Sequence, residues 1–301
     1  MRLTRMMAAA SGVVLAASLA ACGDAGSDDD AVGGADTTVE ADDDCDGKFE
    51  DGSRMAELAD AGEINVGVRF DQPGLGFKGT NDDLPRGFDV AIAKLLIADL
   101  CIDPDDTSKV NYEETISDNR EPYLQSGRVD LVAASYSITD ARRELVGQAG
   151  PYFLTGQQVL VPEDSDVESI EDLQGQEVCS ASGSTSLENV TEAGAVGVPA
   201  DTYSLCAEQV ADGTVPAMST DGSILLGLAA QYDGALKVVG PEFSEERIGV
   251  GYSLERPEMC EWINGVLEES FEDGSWADAF EETLGASGAE TPEPPTLDSC
   301  S

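Results

Sequence analysis

The stretch that decides the fold is VDLVAASYSITDAR, residues 129–142. Residues 129–134 are mostly apolar and predict a β-strand. Hydroxyl side chains follow this strand, and Arg142 comes one helical turn later. Hydroxyl and backbone N–H groups at a strand end, beside a guanidinium whose planar fork can pair with two oxygens at once, form a receptor for a carboxylate. The pattern therefore predicts an anion-binding pocket at the end of a strand.

The rest of the chain alternates between strand and helix patterns, which favours an α/β fold with mainly parallel sheets. In such sheets, ligands bind at the carboxyl ends of the strands. Asp89 is predicted to cap the helix at 90–101. The predicted strands are 64–70, 109–112, 129–134, 158–161, 177–181, 237–239 and 248–252. The predicted helices are 55–61, 90–101, 120–125, 185–193, 257–271 and 276–284.

The N-terminus has the features of an export signal. Arg2 and Arg5 precede an uncharged, mostly apolar run at 6–21, which is shorter than the ~20 apolar residues that a comfortable membrane span needs. The run ends in LAACG, which resembles the lipobox of bacterial lipoproteins and makes Cys22 the predicted lipidation site. We therefore expect residues 1–21 to be a lipoprotein signal peptide and 22–48 an acidic, disordered tether. The alternative is an ordinary cleaved signal with a chance cysteine.

Six cysteines remain after Cys22, and an even number in an exported chain indicates disulfides. Proximity in sequence alone favours the pairs Cys45–Cys101, Cys179–Cys206 and Cys260–Cys300. The chain has no histidine and no CxxC motif, which excludes a histidine-ligated zinc site and a catalytic Ser–His or Cys–His pair. We expect no cofactor and no metal.

The charge is strongly negative. The chain has 16 basic residues, two of them in the predicted signal, against 60 acidic residues, and its formal net charge is −44. Such a charge argues against nucleic acid as a partner. It fits a solvated acidic surface, and whether that surface reflects a high-salt habitat stays open. We expect a monomer.

An ordered set of motifs resembles one protein family along residues 55–284. The set comprises GVRFDQPGLG (67–76), GFDV (87–90), NR (119–120), GRVD (127–130), SYSIT (135–139), GPYF (150–153), SGST (182–185) and STD (219–221). It is similar to the polar amino acid solute-binding proteins of ABC importers, bacterial extracellular family 3, and most of all to their glutamate-binding lipoproteins.

The resemblance implies a type II periplasmic binding protein fold, in which two α/β lobes are joined by two crossover strands around a ligand cleft. Lobe 1 would comprise 49–153 plus 243–285, and lobe 2 would comprise 154–242. Residues 286–301 would form a C-terminal tail.

The resemblance also implies a role for each candidate ligand-binding residue. Arg142 would bind the α-carboxylate of an amino acid, helped by Ser184 and Thr185 at a helix N-terminus. Asp221 would accept the α-ammonium. Arg69 and Arg120 match positions that carry arginine in binders of acidic amino acids. The first-lobe wall would be lined by Ser135, Ser137 and Thr139.

Each of these assignments has a simpler alternative. Arg69 could be a surface arginine at a strand end, and Arg120 could pair with Glu121 or another local acid on a solvated helix. Asp221, and likewise the Ser184–Thr185 pair, could merely cap helices.

For the function, we expect an extracytoplasmic, lipid-anchored binding protein that delivers glutamate to an ABC permease and is not an enzyme. The alternative is a cyclohexadienyl dehydratase-like enzyme on the same scaffold. The choice among glutamate, aspartate, glutamine and asparagine stays open.

Overall fold

A computed structural model of the chain describes residues 37–42, 45–232 and 234–300. The predicted signal peptide, the lipidation site Cys22 and most of the predicted tether lie outside these residues. Within the described ranges, no helix is both long enough and apolar enough to cross a membrane.

The described residues alternate between strands and helices, as the sequence predicts. The strands are β1 (Ile64–Val68), β2 (Asp71–Gln72), β3 (Gly76–Phe77), β4 (Val110–Glu114), β5 (Leu131–Ser137), β6 (Gly147–Thr155), β7 (Gln157–Pro162), β8 (Glu177–Ala181), β9 (Val196–Ala200), β10 (Ala217–Asp221), β11 (Leu236–Val239) and β12 (Glu246–Tyr252). The helices are α1 (Arg54–Ala61), α2 (Phe88–Asp99), α3 (Arg120–Ser126), α4 (Asp140–Arg143), α5 (Thr185–Glu192), α6 (Tyr203–Ala211), α7 (Gly222–Ala230), α8 (Met259–Asp273) and α9 (Ser275–Glu282).

Two five-stranded sheets form the cores of two lobes. The sheet of lobe 1 has the order β4-β1-β5-β12-β6, and helices α1–α4, α8 and α9 belong to this lobe. The sheet of lobe 2 has the order β11-β7-β10-β8-β9 and carries α5–α7. The chain passes from lobe 1 to lobe 2 between β6 and β7 and returns between β11 and β12. The two-lobed α/β fold is thus confirmed, while the predicted lobe bounds stay a prediction.

The sheets are mixed, so the expectation of mainly parallel sheets was wrong. Strand β1 runs parallel to β4 and β5, whereas β12 runs antiparallel to β5 and β6. In lobe 2, β8 is parallel to β9 and β10, but β7 is antiparallel to β10 and β11. Within the two five-stranded sheets, the antiparallel pairs all involve β7 or β12, the strands that begin immediately after a passage between lobes. The connections from β6 to β7 and from β11 to β12 contain no helix, whereas parallel neighbours are usually joined by a crossover helix.

Two local predictions were also wrong. Asp89 does not cap α2: the N-cap is Gly87, and Asp89 is a fully buried residue in the first helical turn. The strand predicted to end at residue 134 continues to Ser137, so two of the candidate hydroxyl residues lie inside β5 rather than after it. All seven residues of β5 are buried, because the strand lies between β1 and β12 in the sheet.

All three predicted disulfides are present. Cys179–Cys206 joins β8 to α6 within lobe 2, and its two cysteines are fully buried. Cys260–Cys300 fixes the C-terminal tail to α8. Cys45–Cys101 fixes the segment before α1 to the end of α2.

The last two helices complete the core of lobe 1. Trp276 of α9 is completely buried and packs edge-on against Phe88 of α2. Its indole N–H donates a hydrogen bond to the carbonyl of Tyr152 in β6 (2.9 Å). Helix α9, which follows lobe 2 in sequence, therefore packs into a hydrophobic core with α2 and β6, which precede lobe 2.

Candidate functional site

The candidate site lies where strands of both sheets end and helices begin. Ser137 closes β5 of lobe 1, and α4 follows it. In lobe 2, β8 leads through a turn at Gly183 into α5, and Asp221 ends β10 immediately before α7. The lobes are in contact here: the Ser137 hydroxyl lies 3.3 Å from the Thr185 hydroxyl.

Arg120 and Arg142 lie side by side at the centre of this region. Both are buried, and their guanidinium carbons lie 4.5 and 5.0 Å from the ring centroid of Tyr136, within cation–π range. Each donates a hydrogen bond to the carbonyl of Gly183 in the other lobe, at 3.3 and 3.2 Å. Two guanidinium groups of lobe 1 thus converge on a single backbone oxygen of lobe 2.

Main-chain carbonyls of β5 fix both arginines. Arg120 donates to the carbonyls of Ala134 (3.3 Å) and Ser135 (3.1 Å), and Arg142 donates to that of Ser137 (2.7 Å). The Thr139 hydroxyl caps α4 by accepting the backbone N–H of Arg142, which orients that residue.

Arg120 forms no ion pair within the described part of the chain. The adjacent Glu121 instead accepts a hydrogen bond from the Tyr136 hydroxyl (2.7 Å) and lies 3.3 Å from Nε of Arg142. The alternative in which Arg120 pairs with Glu121 on a solvated helix is therefore wrong. Burial, and then the positive charge of Arg142, lower the pKa of Arg120 to about 10, so the group stays charged at neutral pH.

Asp221 is a buried carboxylate, and among the described residues no group donates a hydrogen bond to it. It occupies the N-cap position of α7, but its side chain makes no capping hydrogen bond. Burial raises its pKa well above the ordinary value, the charge of Glu246 adds to the rise, and that of Arg120 opposes it. Because a buried charge without hydrogen bonds is costly, Asp221 is poised to accept a cationic donor.

The two hydroxyl residues at the start of α5 differ in their contacts. The Ser184 hydroxyl accepts the N–H of Leu187 (3.1 Å) and donates to the carbonyl of Ala181 (2.6 Å). Ser184 therefore caps α5, as the simpler alternative predicted. The Thr185 hydroxyl faces the other lobe and donates to the Glu246 carboxylate (3.2 Å). Gly183, before them, has φ +70°, and a side chain there would clash with Asp118 of lobe 1.

Ser135 is held by Asp89, the residue that the sequence predicted to cap a helix. The Asp89 carboxylate accepts the Ser135 backbone N–H (2.7 Å), the Ser135 hydroxyl lies 3.0 Å away, and the Tyr152 hydroxyl donates to Asp89 at 2.6 Å. Burial raises the pKa of Asp89, and the hydrogen bonds from Tyr152 and Ser135 oppose that rise. Ser135 has φ 44°, in the left-handed region, so Asp89 stabilises an unusual backbone conformation beside the arginines.

Arg69 lies at the edge of the same region and is already paired. Its Nε donates to the Asp71 carboxylate (2.7 Å), and Nη1 lies 3.4 Å from the Ser117 hydroxyl. Its exposed fraction is 1%, which excludes a surface arginine.

The structure thus brings Arg120, Arg142, Asp221, Ser137 and Thr185 together. Ser135, Thr139 and Ser184 have hydroxyl groups with structural partners. Sequence reasoning missed Asp89 and Glu246 as members of the site. Asp89 lies in the motif GFDV, which could have indicated that it belongs to the site. Glu246 lies in none of the quoted motifs, so the sequence offered no such indication. Contacts of any of these residues with a ligand stay a prediction.

Comparison with known proteins supplies a family. Residues 64–286 match the family described as bacterial extracellular solute-binding proteins, family 3. Over 293 residues, the chain is 36% identical to glutamate-binding protein GluB of Corynebacterium efficiens, with 94% of this chain and 91% of that protein covered.

Two solved structures extend the comparison. An ancestral arginine-binding protein bound to glutamine is 33% identical, with a TM-score of 0.68, and the match covers 74% of this chain and 98% of that one. An ancestral amino acid-binding protein, a precursor of cyclohexadienyl dehydratase, is 29% identical with a TM-score of 0.68, over 77% and 100% of the two chains.

Asp221 generates a prediction about stability and pH. Because its folded-state pKa is raised, the folded protein holds this proton more tightly than the unfolded chain, and stability is lost as the pH rises above the ordinary value of about 4. Asp221→Asn should raise the free energy of unfolding of the ligand-free protein near neutral pH by about 0.5–2 kcal/mol. Urea unfolding followed by circular dichroism should show the gain shrinking toward pH ~4.

The matched control is Asp164→Asn, which removes an exposed carboxylate of the same lobe and should leave stability nearly unchanged. A loss of stability in Asp221→Asn near neutral pH would contradict the interpretation.

Proposed function

Because the chain belongs to family 3 of the bacterial extracellular solute-binding proteins, we propose that it binds L-glutamate between its two lobes and delivers it to the permease of an ABC importer. The observation that carries the proposal is a buried guanidinium, Arg120, with only backbone carbonyls as hydrogen-bond partners, beside a buried carboxylate, Asp221, with no donor in the described chain. An amino acid supplies the missing partner of each charge.

The α-amino acid groups have matching sites. In this proposal, Arg142 binds the α-carboxylate, which replaces the Gly183 carbonyl as the acceptor because a carboxylate is the stronger partner of a guanidinium. Backbone N–H groups at the start of α5, at Ser184 and Thr185, add donors of the kind that helix N-termini offer to anions. Asp221 accepts the α-ammonium, and Ser135, Ser137 and Thr139 form the wall in lobe 1.

Arg120 is the proposed reader of the ligand side chain. A buried guanidinium without a carboxylate partner is unfavourable, and the second carboxylate of glutamate would neutralise it, whereas glutamine would not. Arg69 stays in the proposed site as a secondary cation, because Asp71 already offsets its charge. The name of the relative GluB agrees with an acidic ligand.

The chain is a binding protein rather than an enzyme. The relative and the two structural neighbours described above are all amino acid-binding proteins by name, including the one that is a precursor of a dehydratase. No feature of the described residues favours the dehydratase alternative over binding.

Calorimetric titration with glutamate tests the proposal. We expect a dissociation constant of about 1 μM or tighter, which corresponds to about −8 kcal/mol. Arg142→Ala should abolish measurable binding, because charge-assisted hydrogen bonds to the α-carboxylate are lost. Arg143→Ala, the neighbour whose guanidinium pairs with Asp298, is the control and should bind normally. Absence of heat with glutamate, aspartate and glutamine would reject the function.

The preference for an acid over an amide depends on Arg120 in this proposal. Arg120→Gln should lower the affinity for glutamate roughly 10- to 100-fold, the range of one or two charge-assisted hydrogen bonds, and change glutamine binding much less. Titration of both ligands measures the ratio. The control is Arg128→Gln, an exposed arginine just beyond the same helix. An unchanged glutamate-to-glutamine ratio would show that Arg120 does not read the side chain.

We further propose that Cys22 carries a lipid that anchors the protein at the extracytoplasmic face of the membrane. The motif LAACG supports this, and stable anchoring needs more than one acyl chain. Cys22→Ser should move the protein from the membrane fraction to the soluble fraction, measured by fractionation and immunoblot, whereas Ser27→Ala should not. A Cys22→Ser protein that stays in the membrane fraction would argue for another mode of attachment.

A further inference from the structure

Asp71 makes a contact between the lobes that the proposed ligand site does not use. It lies in β2 of lobe 1, and its side chain is 8% exposed. Oδ1 accepts a hydrogen bond from Nε of Arg69 (2.7 Å). Oδ2 accepts two backbone N–H groups of lobe 2, those of Tyr203 (3.0 Å) and Ser204 (3.3 Å). One carboxylate therefore joins a cation of lobe 1 to the first two residues of α6.

The N-terminus of α6 depends on this carboxylate. The first N–H groups of a helix have no acceptor within the helix. In α6, the Thr202 hydroxyl accepts the N–H of Leu205, which leaves those of Tyr203 and Ser204 to Asp71. The first turn of α6 contains no acidic residue of its own, although the chain as a whole is rich in them. The negative charge that a helix N-terminus favours is thus supplied by the other lobe.

Arg69 holds this carboxylate in place. Its Nη2 also lies 2.7 Å from Oδ1 of Asp71, and its guanidinium carbon lies 5.6 Å from the ring centroid of Tyr203. Both side chains of the pair are nearly inaccessible to solvent, so the interaction is screened little by salt. When the lobes separate, Asp71 and the two amides must each exchange this contact for water.

We propose that Asp71 is a positioning residue that latches the two lobes in the closed conformation and so sets the rate at which ligand leaves, without reading the ligand. The effect on the rate of ligand release rests on the proposed function, since it requires that an amino acid binds between the lobes. The latch consists of Arg69, Asp71 and the N-terminal amides of α6. It differs from the ligand contacts in that it forms whichever amino acid is bound.

The test is Asp71→Asn in the mature protein, with Asp60→Asn, an exposed carboxylate of lobe 1, as a matched control. Loss of one partly buried carboxylate at a helix N-terminus should raise the dissociation constant about tenfold. Stopped-flow measurement should assign this rise to faster dissociation, with association nearly unchanged. Dissociation should become faster for both glutamate and glutamine, because the latch forms with either ligand.

A second measurement separates failure of the latch from failure of the proposed function. Hydrogen exchange of the Tyr203 and Ser204 amides in the ligand-free protein should be faster in Asp71→Asn than in the native chain and unchanged in Asp60→Asn. Should no amino acid bind the native protein, the proposed function fails while this exchange still tests the latch. Equal exchange in the native and Asp71→Asn proteins, or unchanged dissociation rates for both ligands, would overturn the latch.

Discussion

Arg120 and Arg142 carry two like charges into a buried cleft, where their mutual repulsion is screened far less than in water. The surrounding structure compensates for this. The Tyr136 ring lies within cation–π distance of both guanidinium groups, three carbonyls of β5 accept their hydrogen bonds, and the Gly183 carbonyl receives one from each. Because Gly183 belongs to the other lobe, the two charges are also part of the contact between the lobes. The backbone at Gly183 has a positive φ and no room for a side chain, which lets its oxygen reach both arginines.

The sequence predicts those parts of the site that depend on neighbouring residues. Thr139 and Arg142 are three residues apart, and the structure joins them through a helix cap, as local spacing suggests. The partner of Ser135 is Asp89, 46 residues earlier, and no local pattern distinguishes a buried acceptor from the helix cap that was predicted. The antiparallel pairing of β12 escaped prediction for the same reason, because strand order is decided by contacts far apart in sequence. The disulfides were predictable from proximity, since each joins segments of one lobe.

The two lobes contribute opposite chemistry to the cleft. All three arginines of the site belong to lobe 1, whereas residues 156–242 contain a single basic residue, Lys237, and fifteen acidic ones. Lobe 2 therefore offers carbonyls, hydroxyls, helix N-termini and Asp221, but no cationic side chain in the site. The strongly negative surface acts at long range and is weakened by salt, while the buried guanidinium groups act at contact. The buried arginines therefore let a strongly negative protein keep a local site for an anion.

The strand order of lobe 1 has a consequence for biogenesis. Strand β12 lies between β5 and β6, so β6 has no neighbour in its sheet until residues 246–252 are present. Lobe 2 is formed by one continuous segment and contains all its strands before β12 is synthesised. The second lobe can thus assemble first, while the first half of lobe 1 waits with an unpaired strand edge, a state prone to association with other chains. Docking of β12, α8 and α9 completes lobe 1, so the C-terminal segment is the last part of the chain that this lobe needs to reach its native state.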